Sequence, residues 1–443
     1  MNKFLISPLL LTMFIQGCGG SSSSAPEIPV EPVEYNFSLT SKLTNDCGIS
    51  SAFTKVELLL QDDTWQTLAS YKPDENGVIS FVTTNEFINY TLVAKNQQGT
   101  DVEGLNVVSF YQASSATPAH YQGQFDEMLD GLNDMTCECV TKNLELTHLT
   151  FETQTSVTSS LEFVRATTDK GTTLFEGVKV CGTSEGVWPL SSFSVLGTNI
   201  KGEEFGVAGF IDYFHVNDDV WRLPAFDQAN ELSLSHPYQD TSNSQLIKDV
   251  KHFLTQATKE QQSLLIFDTH DYANVGEAYY QSQASVTFKL NDGLYKSAIS
   301  KNIHQVISTS ASDSLILLAG QHQPAFDYPD FSEIKSDYSY DYSAVAGYPM
   351  AIIHFVFTDL AMPVKWTFYG PEKGLLAISA PLKGYDDIIN TDSEPKTIDV
   401  RLIKSKLANS YSDYIKHYQA DSALDLTNDF VKEMTAAELA LKL

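Results

Sequence analysis

The chain has 443 residues, of which 28 are lysine or arginine and 56 are aspartate or glutamate, so its net charge at pH 7 is -28. Such a charge repels phosphate backbones and anionic lipid surfaces, and nucleic acid is therefore not expected as a partner. Two explanations of the acidity stay open: solubility in a salty exterior, and recruitment of divalent cations or of a basic partner. Hydrophobic residues make up 42% of the chain, which excludes wholesale disorder.

The start of the chain has the layout of an export signal. Lys3 supplies a positive charge, residues 4–15 are mostly apolar, and Gly17 precedes Cys18. The apolar run is shorter than the roughly 20 residues that a membrane-spanning helix needs. A small residue followed by cysteine resembles the lipobox of bacterial lipoproteins. This resemblance implies that Cys18 is lipidated and that Gly19 sorts the protein to the outer membrane. The alternative is an ordinary signal with a chance cysteine.

Residues 19–34 follow as a Gly/Ser run and then a segment with proline at every third position, Pro26, Pro29 and Pro32. Glycine and serine make a chain flexible, whereas regularly spaced proline favours an extended, stiffer form. We expect a tether that lifts the folded part away from a membrane.

The remaining four cysteines are Cys47, Cys137, Cys139 and Cys181, an even number in a chain expected to be exported. Three pairings are possible. On a strand, the i, i+2 spacing of Cys137 and Cys139 puts both on one face. We therefore favour a different partner for each, Cys47 for one and Cys181 for the other. One disulfide would then lie within the first domain, and the other would link it to the second. A zinc site is disfavoured because the spacing matches no common zinc module.

Residues 35–139 predict a first β domain. Strands are expected at 56–60, 78–82 and 90–94, with a turn at 74–77 whose glycine can take a positive φ. This order of turn glycine, strand and a Tyr-x-Leu-x-Ala strand resembles transthyretin-type or carboxypeptidase-regulatory-like β-sandwiches. The resemblance covers some 80 residues and implies a structural or binding module without catalytic chemistry. Apolar residues at three- and four-residue spacing over 125–135 predict a helical insertion.

The rest of the chain divides into three predicted segments. Short strands and turns, such as 168–171, predict a second sandwich over 140–235. An α+β domain over 236–420 is expected to begin with a helix, from the apolar stripe of 246–257, and to contain a hairpin around Asn291-Asp292-Gly293. A helix is expected over 421–443. The predicted fold is therefore mainly β, with tandem β-sandwich-like domains and a few packed helices.

Residues 182–186 match the pattern G-x-S-x-G, which is found at the nucleophile of serine hydrolases. That chemistry needs a strand before the serine and a helix after it. The strand is predicted, but residues 187–192 form helices poorly. We interpret the motif as a hairpin turn and keep a hydrolase acting through Ser184 as an alternative.

Asp268, His270 and Asp271 lie at the end of an apolar strand predicted over 263–267. These residue types can ligate a metal or move a proton, and on a strand Asp268 and His270 share a face. No further ligand motif accompanies them, so a solvated turn is the favoured interpretation. Phosphate-loop, dinucleotide and haem motifs are absent from the sequence, and we expect no metal and no cofactor.

The acidic, aromatic tract at 326–343 contains Tyr338, Tyr340 and Tyr342 in alternation. A strand would place all three rings on one face, where aromatic rings with nearby carboxylates can stack on sugars, bind a basic partner surface or hold calcium, although no calcium-loop spacing is present. The competing interpretation is a half-buried strand edge or an ordered loop. We take this tract as the expected binding site of an outer-membrane lipoprotein that acts as a non-catalytic binding or scaffold component for a protein or glycan partner.

Overall fold

In the computed structural model, the chain is described at residues 32–44, 47, 50–98, 102–123, 137–148, 153–183, 186, 188–212, 214, 218–224, 227–228, 230–233, 241–247, 250–258, 263–266, 278–289, 295–306, 337–343, 347–405, 408–420 and 434–442. These residues form 28 β-strands and one α-helix, so the prediction of a mainly β fold is confirmed. In that described part of the chain, no helix has the length and apolar character needed to cross a membrane.

The N-terminal part of the fold contains eight strands. They are β1 (Tyr35–Thr44), β2 (Ser50–Ala52), β3 (Val56–Gln61), β4 (Thr67–Tyr71), β5 (Val78–Thr83), β6 (Phe87–Gln98), β7 (Val102–Ser114) and β8 (Ala119–Gly123). The C-terminal part contains β23 (Ser339–Asp341), β24 (Met350–Phe357), β25 (Val364–Pro371), β26 (Lys373–Leu375), β27 (Thr397–Ser405), helix α1 (Tyr411–Ala420) and β28 (Met434–Lys442).

One eight-stranded sheet combines these two parts of the chain, in the order β28-β27-β24-β25-β7-β6-β3-β4. The junction is the parallel pair of β7 with β25, whereas the other neighbours are antiparallel. The prediction that 35–139 and 236–420 are separate domains is therefore wrong, because strands from both segments pair in one sheet. Parallel pairing needs a long crossover, and here the whole middle of the chain lies between the two strands.

Both faces of this sheet are covered. A second sheet, in which β1 pairs with β2, β5 and β8, packs on one face through buried residues such as Phe37, Leu39 and Ile79. Helix α1 adds Tyr414 and Ile415 to the same core. The other face is covered by the β23–β26 pair and by the segment 376–389. Strand β1 alternates buried and exposed positions, as a strand with one face in a core should.

The middle of the chain contributes a sandwich and further strands. The sandwich strands are β9 (Cys137–Thr147), β10 (Thr153–Ser159), β11 (Arg165–Asp169), β12 (Thr172–Thr183), β13 (Ser191–Thr198), β14 (Glu204–Ile211), β15 (Val220–Pro224) and β16 (Asp227–Gln228). The strands that follow are β17 (Asn230–Ser233), β18 (Thr241–Ile247), β19 (Val250–Thr258), β20 (Ser263–Ile266), β21 (Ala278–Lys289) and β22 (Tyr295–Val306).

The predicted second sandwich is present. Its two four-stranded sheets have the orders β10-β13-β14-β16 and β11-β12-β9-β15, and their inner faces share one apolar core that includes Phe175, Phe193 and Trp221. The β11–β12 hairpin turns through Lys170 and Gly171, both with positive φ, as a tight two-residue turn requires. Strand β9 already begins at Cys137, so the predicted boundary after residue 139 falls inside a strand.

The structure pairs Cys47 with Cys137 and Cys139 with Cys181, one of the two arrangements favoured from the sequence. Cys139 and Cys181 lie directly opposite each other in the β9–β12 pair. Because Cys137 belongs to β9, the Cys47–Cys137 bridge connects the N-terminal strands to the inserted sandwich. The Cys139–Cys181 bridge lies within the sandwich. The predicted boundary after residue 139 had placed the Cys47 bridge inside the first domain and the Cys181 bridge between the two domains, so each bridge has the position that was expected of the other.

Two predicted helices are strands in the structure. The stripe over 246–257 lies in the antiparallel pair β18–β19, and β18 also pairs with β21. The end of the expected C-terminal helix is β28, which pairs with β27 from Met434 to Lys442. In both places pairing with another strand overrides the local helix preference. The predicted hairpin is confirmed by the β21–β22 pair. The helix expected at 125–135 lies outside the described residues.

Candidate functional site

The described residues of the G-x-S-x-G motif are Gly182 and Thr183, which end strand β12, and Gly186, which follows that strand. The hairpin interpretation is wrong, because β12 and β13 pair in different sheets of the sandwich. Gly182 is the close neighbour of Trp188, since a Cβ atom on residue 182 would lie 2.2 Å from a carbon of the indole ring. Gly186 has a φ of +80° and donates its N–H to the carbonyl of Thr183 at 2.8 Å. The next element is strand β13, where a nucleophile elbow would have a helix. Tight packing and turn geometry thus account for both glycines, and Ser184 itself lies outside the described residues.

Asp268, His270 and Asp271 also lie outside the described residues. Within the part of the chain that the structure describes, no group of three or more His, Cys, Asp or Glu side chains is arranged to hold a metal ion.

The expected binding tract at Tyr338–Tyr342 lies against the body of the protein. Tyr340 and Tyr342 are only 2% and 4% exposed and belong to one buried cluster. The Tyr340 hydroxyl donates to the carbonyl of Pro371 at 2.9 Å. Tyr338 is half-buried, and its hydroxyl donates to the carbonyl of Thr391. In this arrangement the rings stabilise the core, so an external partner could not stack on Tyr340 or Tyr342 without displacing them.

A partly exposed ring near an exposed carboxylate occurs instead around Tyr111, near the end of β7, where the ring also lies 6.4 Å from that of Tyr411. We define the Tyr111 site as Tyr111, Gln112, Asn89, Asp63 and Trp65. Trp65 is fully buried beneath the site, with its ring centroid 6.2 Å from that of Tyr111, whereas Tyr111 is half-buried and Asp63 is exposed. The site is thus an aromatic surface with a carboxylate beside it.

The turn between β3 and β4 positions Asp63 and Trp65. The carboxylate of Asp62 accepts hydrogen bonds from Thr64 Oγ1 and N, both at 2.8 Å, and from Gln66 N at 2.9 Å. These bonds, led by that from the Thr64 hydroxyl, lower the pKa of Asp62 and keep it ionised. Trp65 has a φ of +63° and donates its indole N–H to the carbonyl of Leu375 at 2.9 Å.

The amide of Asn89 connects this turn to the end of β7. Its Nδ2 donates to the carbonyl of Asp62 at 3.1 Å and to Oδ1 of Asp63 at 3.3 Å. Its Oδ1 accepts from the backbone N–H of Gln112 at 2.7 Å. Gln112, like Trp65, has a positive φ, +43°. A left-handed conformation is costly for residues other than glycine, so contacts on several strands hold this arrangement in place.

A buried ladder of polar side chains underlies the site. Gln61 Nε2 donates to the carbonyl of Trp65 at 2.9 Å, and Gln61 Oε1 accepts from the hydroxyl of Thr91 at 2.6 Å. The hydroxyls of Thr91 and Ser109 are 2.7 Å apart, and Trp366 Nε1 donates to Ser109 Oγ at 2.8 Å. The ladder crosses β3, β6, β7 and β25 inside a core, where satisfied hydrogen bonds are strong and rigid.

The electrostatics of the Tyr111 site are those of an uncompensated negative charge. Burial raises the pKa of Tyr111, and the charge of Asp63 raises it further. No lysine, arginine or histidine of the described chain forms an ion pair with Asp63. Ring, carboxylate and the exposed Gln112 amide can bind a ligand, but they do not include a nucleophile with a base.

Sequence inspection missed this site because its residues come from separate strands. The available signal was the turn Asp62-Asp63-Thr64-Trp65, where an aspartate at the first position is typical of a side-chain-capped turn.

Comparison of the chain with protein-family models, with curated protein sequences and with solved structures found no match. Its function is therefore inferred from its own residues.

Proposed function

We propose that this protein is an exported bacterial lipoprotein, held at the outer membrane through lipidated Cys18, that acts as a non-catalytic binding or scaffold component for a protein or glycan partner. The main support for the proposal is the way in which the cysteines pair. The four after Cys18 are joined in two disulfides, a pattern typical of oxidising compartments outside the cytoplasm. Cys18, in its lipobox context, is then the cysteine available for lipid.

The binding role is supported by the Tyr111 site, which presents an aromatic ring and a carboxylate on a braced surface. The alternative, a secreted hydrolase, would use Ser184 or the Asp268/His270/Asp271 cluster. It gains no support from Gly182 and Gly186, because the contact of Gly182 with Trp188 and the positive φ of Gly186 already explain these glycines.

Metabolic labelling with a palmitate analogue tests the anchor, with Cys18→Ala as the matched control. We expect label and outer-membrane fractionation in the native protein and neither in the variant. Equal fractionation of both would refute lipid anchoring.

Crosslinking and pull-down from native membranes test the binding role. A defined partner that is captured by the native protein, and lost or reduced with Cys18→Ala, is the expected result. Ester or glycoside hydrolysis that disappears in Ser184→Ala or His270→Ala, without any partner, would replace this proposal with the hydrolase.

A further inference from the structure

The Tyr111 site has the chemistry of a receptor for a cation. The face of a tyrosine ring carries negative electrostatic potential, so a cation placed over it is attracted. Asp63 adds a full negative charge beside the ring, and Asn89 donates to its Oδ1 and restrains it there. Both groups are therefore in place before any ligand arrives, which reduces the entropy lost on binding.

Among the described residues, no basic side chain neutralises the negative charge of Asp63 in the Tyr111 site. The chain as a whole carries a net charge of -28. An anion would be repelled, and a neutral sugar would leave the carboxylate without a counter-charge. A cationic ligand compensates the carboxylate and also uses the ring.

We propose that the Tyr111 site binds a basic side chain, arginine in preference to lysine, on the surface of a protein partner. Arginine is favoured because its planar guanidinium can stack on the Tyr111 ring while an edge donates to the Asp63 carboxylate. The side chain of Gln112, the exposed residue that follows Tyr111, can form hydrogen bonds with the backbone of the partner next to that arginine. This inference rests on the proposed binding role and specifies the class of partner.

The test uses N-acetyl-arginine amide as the probe and the citrulline analogue as its neutral isostere, in a ligand-observed NMR titration of the full mature chain. We expect weak, salt-sensitive binding of the arginine compound and none of the citrulline compound. Asp63→Asn and Tyr111→Leu should each weaken binding by about two- to fivefold. Glu75→Gln, which removes an exposed carboxylate elsewhere in the same part of the fold, should leave it unchanged.

Thermal unfolding of each variant shows whether it has folded, and Asp63→Asn is the informative one because its side chain keeps nearly the same shape. Equal binding of arginine and citrulline, or unchanged affinity in Asp63→Asn, overturns the inference. So does binding of a neutral oligosaccharide that the arginine compound does not displace. Capture of a membrane partner that Asp63→Asn leaves intact would reject this site while keeping the proposed function. Absence of any partner would reject the proposed function whatever the probe does.

Discussion

Removal of the Cys47–Cys137 bridge probes how the inserted sandwich is attached to the rest of the protein. The perturbation is the double substitution Cys47→Ser and Cys137→Ser. The bridge joins residues 90 apart in sequence. For a loop of that length, the chain-entropy relation gives about 15.5 cal/mol/K, or about 4.6 kcal/mol at 25 °C, as the stabilisation lost.

The Cys139–Cys181 bridge provides the matched comparison. Its partners are 42 residues apart, and the same relation gives about 3.9 kcal/mol for its loss. The two losses are similar in size but should fall on different parts of the molecule. The Cys139–Cys181 bridge lies inside the sandwich, whereas the other bridge restrains the N-terminal strands together with β9.

Guanidinium unfolding followed by tryptophan fluorescence can separate these effects. The four tryptophans divide evenly, with Trp65 and Trp366 in the core of the eight-stranded sheet and Trp188 and Trp221 in the sandwich. We expect loss of Cys139–Cys181 to shift the sandwich transition alone, and loss of Cys47–Cys137 to shift the transition of the eight-stranded sheet as well. An unchanged midpoint in the Cys47/Cys137 variant, or peptide mapping that joins Cys137 to Cys139, would contradict this attachment of the sandwich.

Three further predictions concern buried groups. Burial, aided by the charge of Arg401, lowers the pKa of His354 from 6.5 to about 4. The unfolded state therefore binds more protons than the folded state between these pH values. Up to about 3 kcal/mol of stability should be lost as the pH falls from 6.5 to 4. Unfolding measured across that range should lose this slope in His354→Gln but not in His120→Gln, and equal slopes would contradict the assignment. Gly182→Val should destabilise the sandwich by about 1–3 kcal/mol, because the new side chain meets the Trp188 ring; a thermal midpoint equal to that of the native protein would show that the ring can move. Thr91→Val should cost about 1–3 kcal/mol, since Gln61 Oε1 loses its buried donor and Ser109 keeps only its bond from Trp366; denaturant unfolding that shows no change would contradict this.

Local features of the fold could be predicted from the sequence. The turn at 74–77 is an example, because Asp74 Oδ1 accepts from Val78 N at 2.8 Å and Gly77 has a φ of +76°. The hairpin between β21 and β22 was predictable from its turn residues. The short spacing of Cys137 and Cys139 predicted that they have different partners, but not which of the two pairs with Cys47. Each depends on residues close together in the chain or on a small number of possible pairings.

Features that depend on distant pairing could not be predicted. Strand β28 consists of residues with high helix propensity, yet it forms the edge of the eight-stranded sheet because β27 provides a partner along its whole length. The rings of Tyr340 and Tyr342 lie 5.7 Å apart in one buried cluster, but the alternating tyrosines of the sequence did not indicate that these rings are covered. Asp63 lies near Tyr111 only because β3, β6 and β7 are neighbours in the sheet and Asn89, on β6, forms hydrogen bonds with both Asp63 and Gln112.

The position of β1 bears on how an anchored protein would carry load. Under the proposed lipidation of Cys18, the tether leads directly into Tyr35, the first residue of β1. That strand is hydrogen-bonded on both edges, antiparallel to β5 and β2 on one side and parallel to β8 on the other. A force applied through the tether would therefore have to break backbone hydrogen bonds on both edges of β1 to extract it. The buried side chains of Phe37 and Leu39 also hold this strand in the core. If the anchor were attached to an edge strand, hydrogen bonds on one edge only would resist the force. The pairing of β1 on both edges therefore suits a chain held at its N-terminal end.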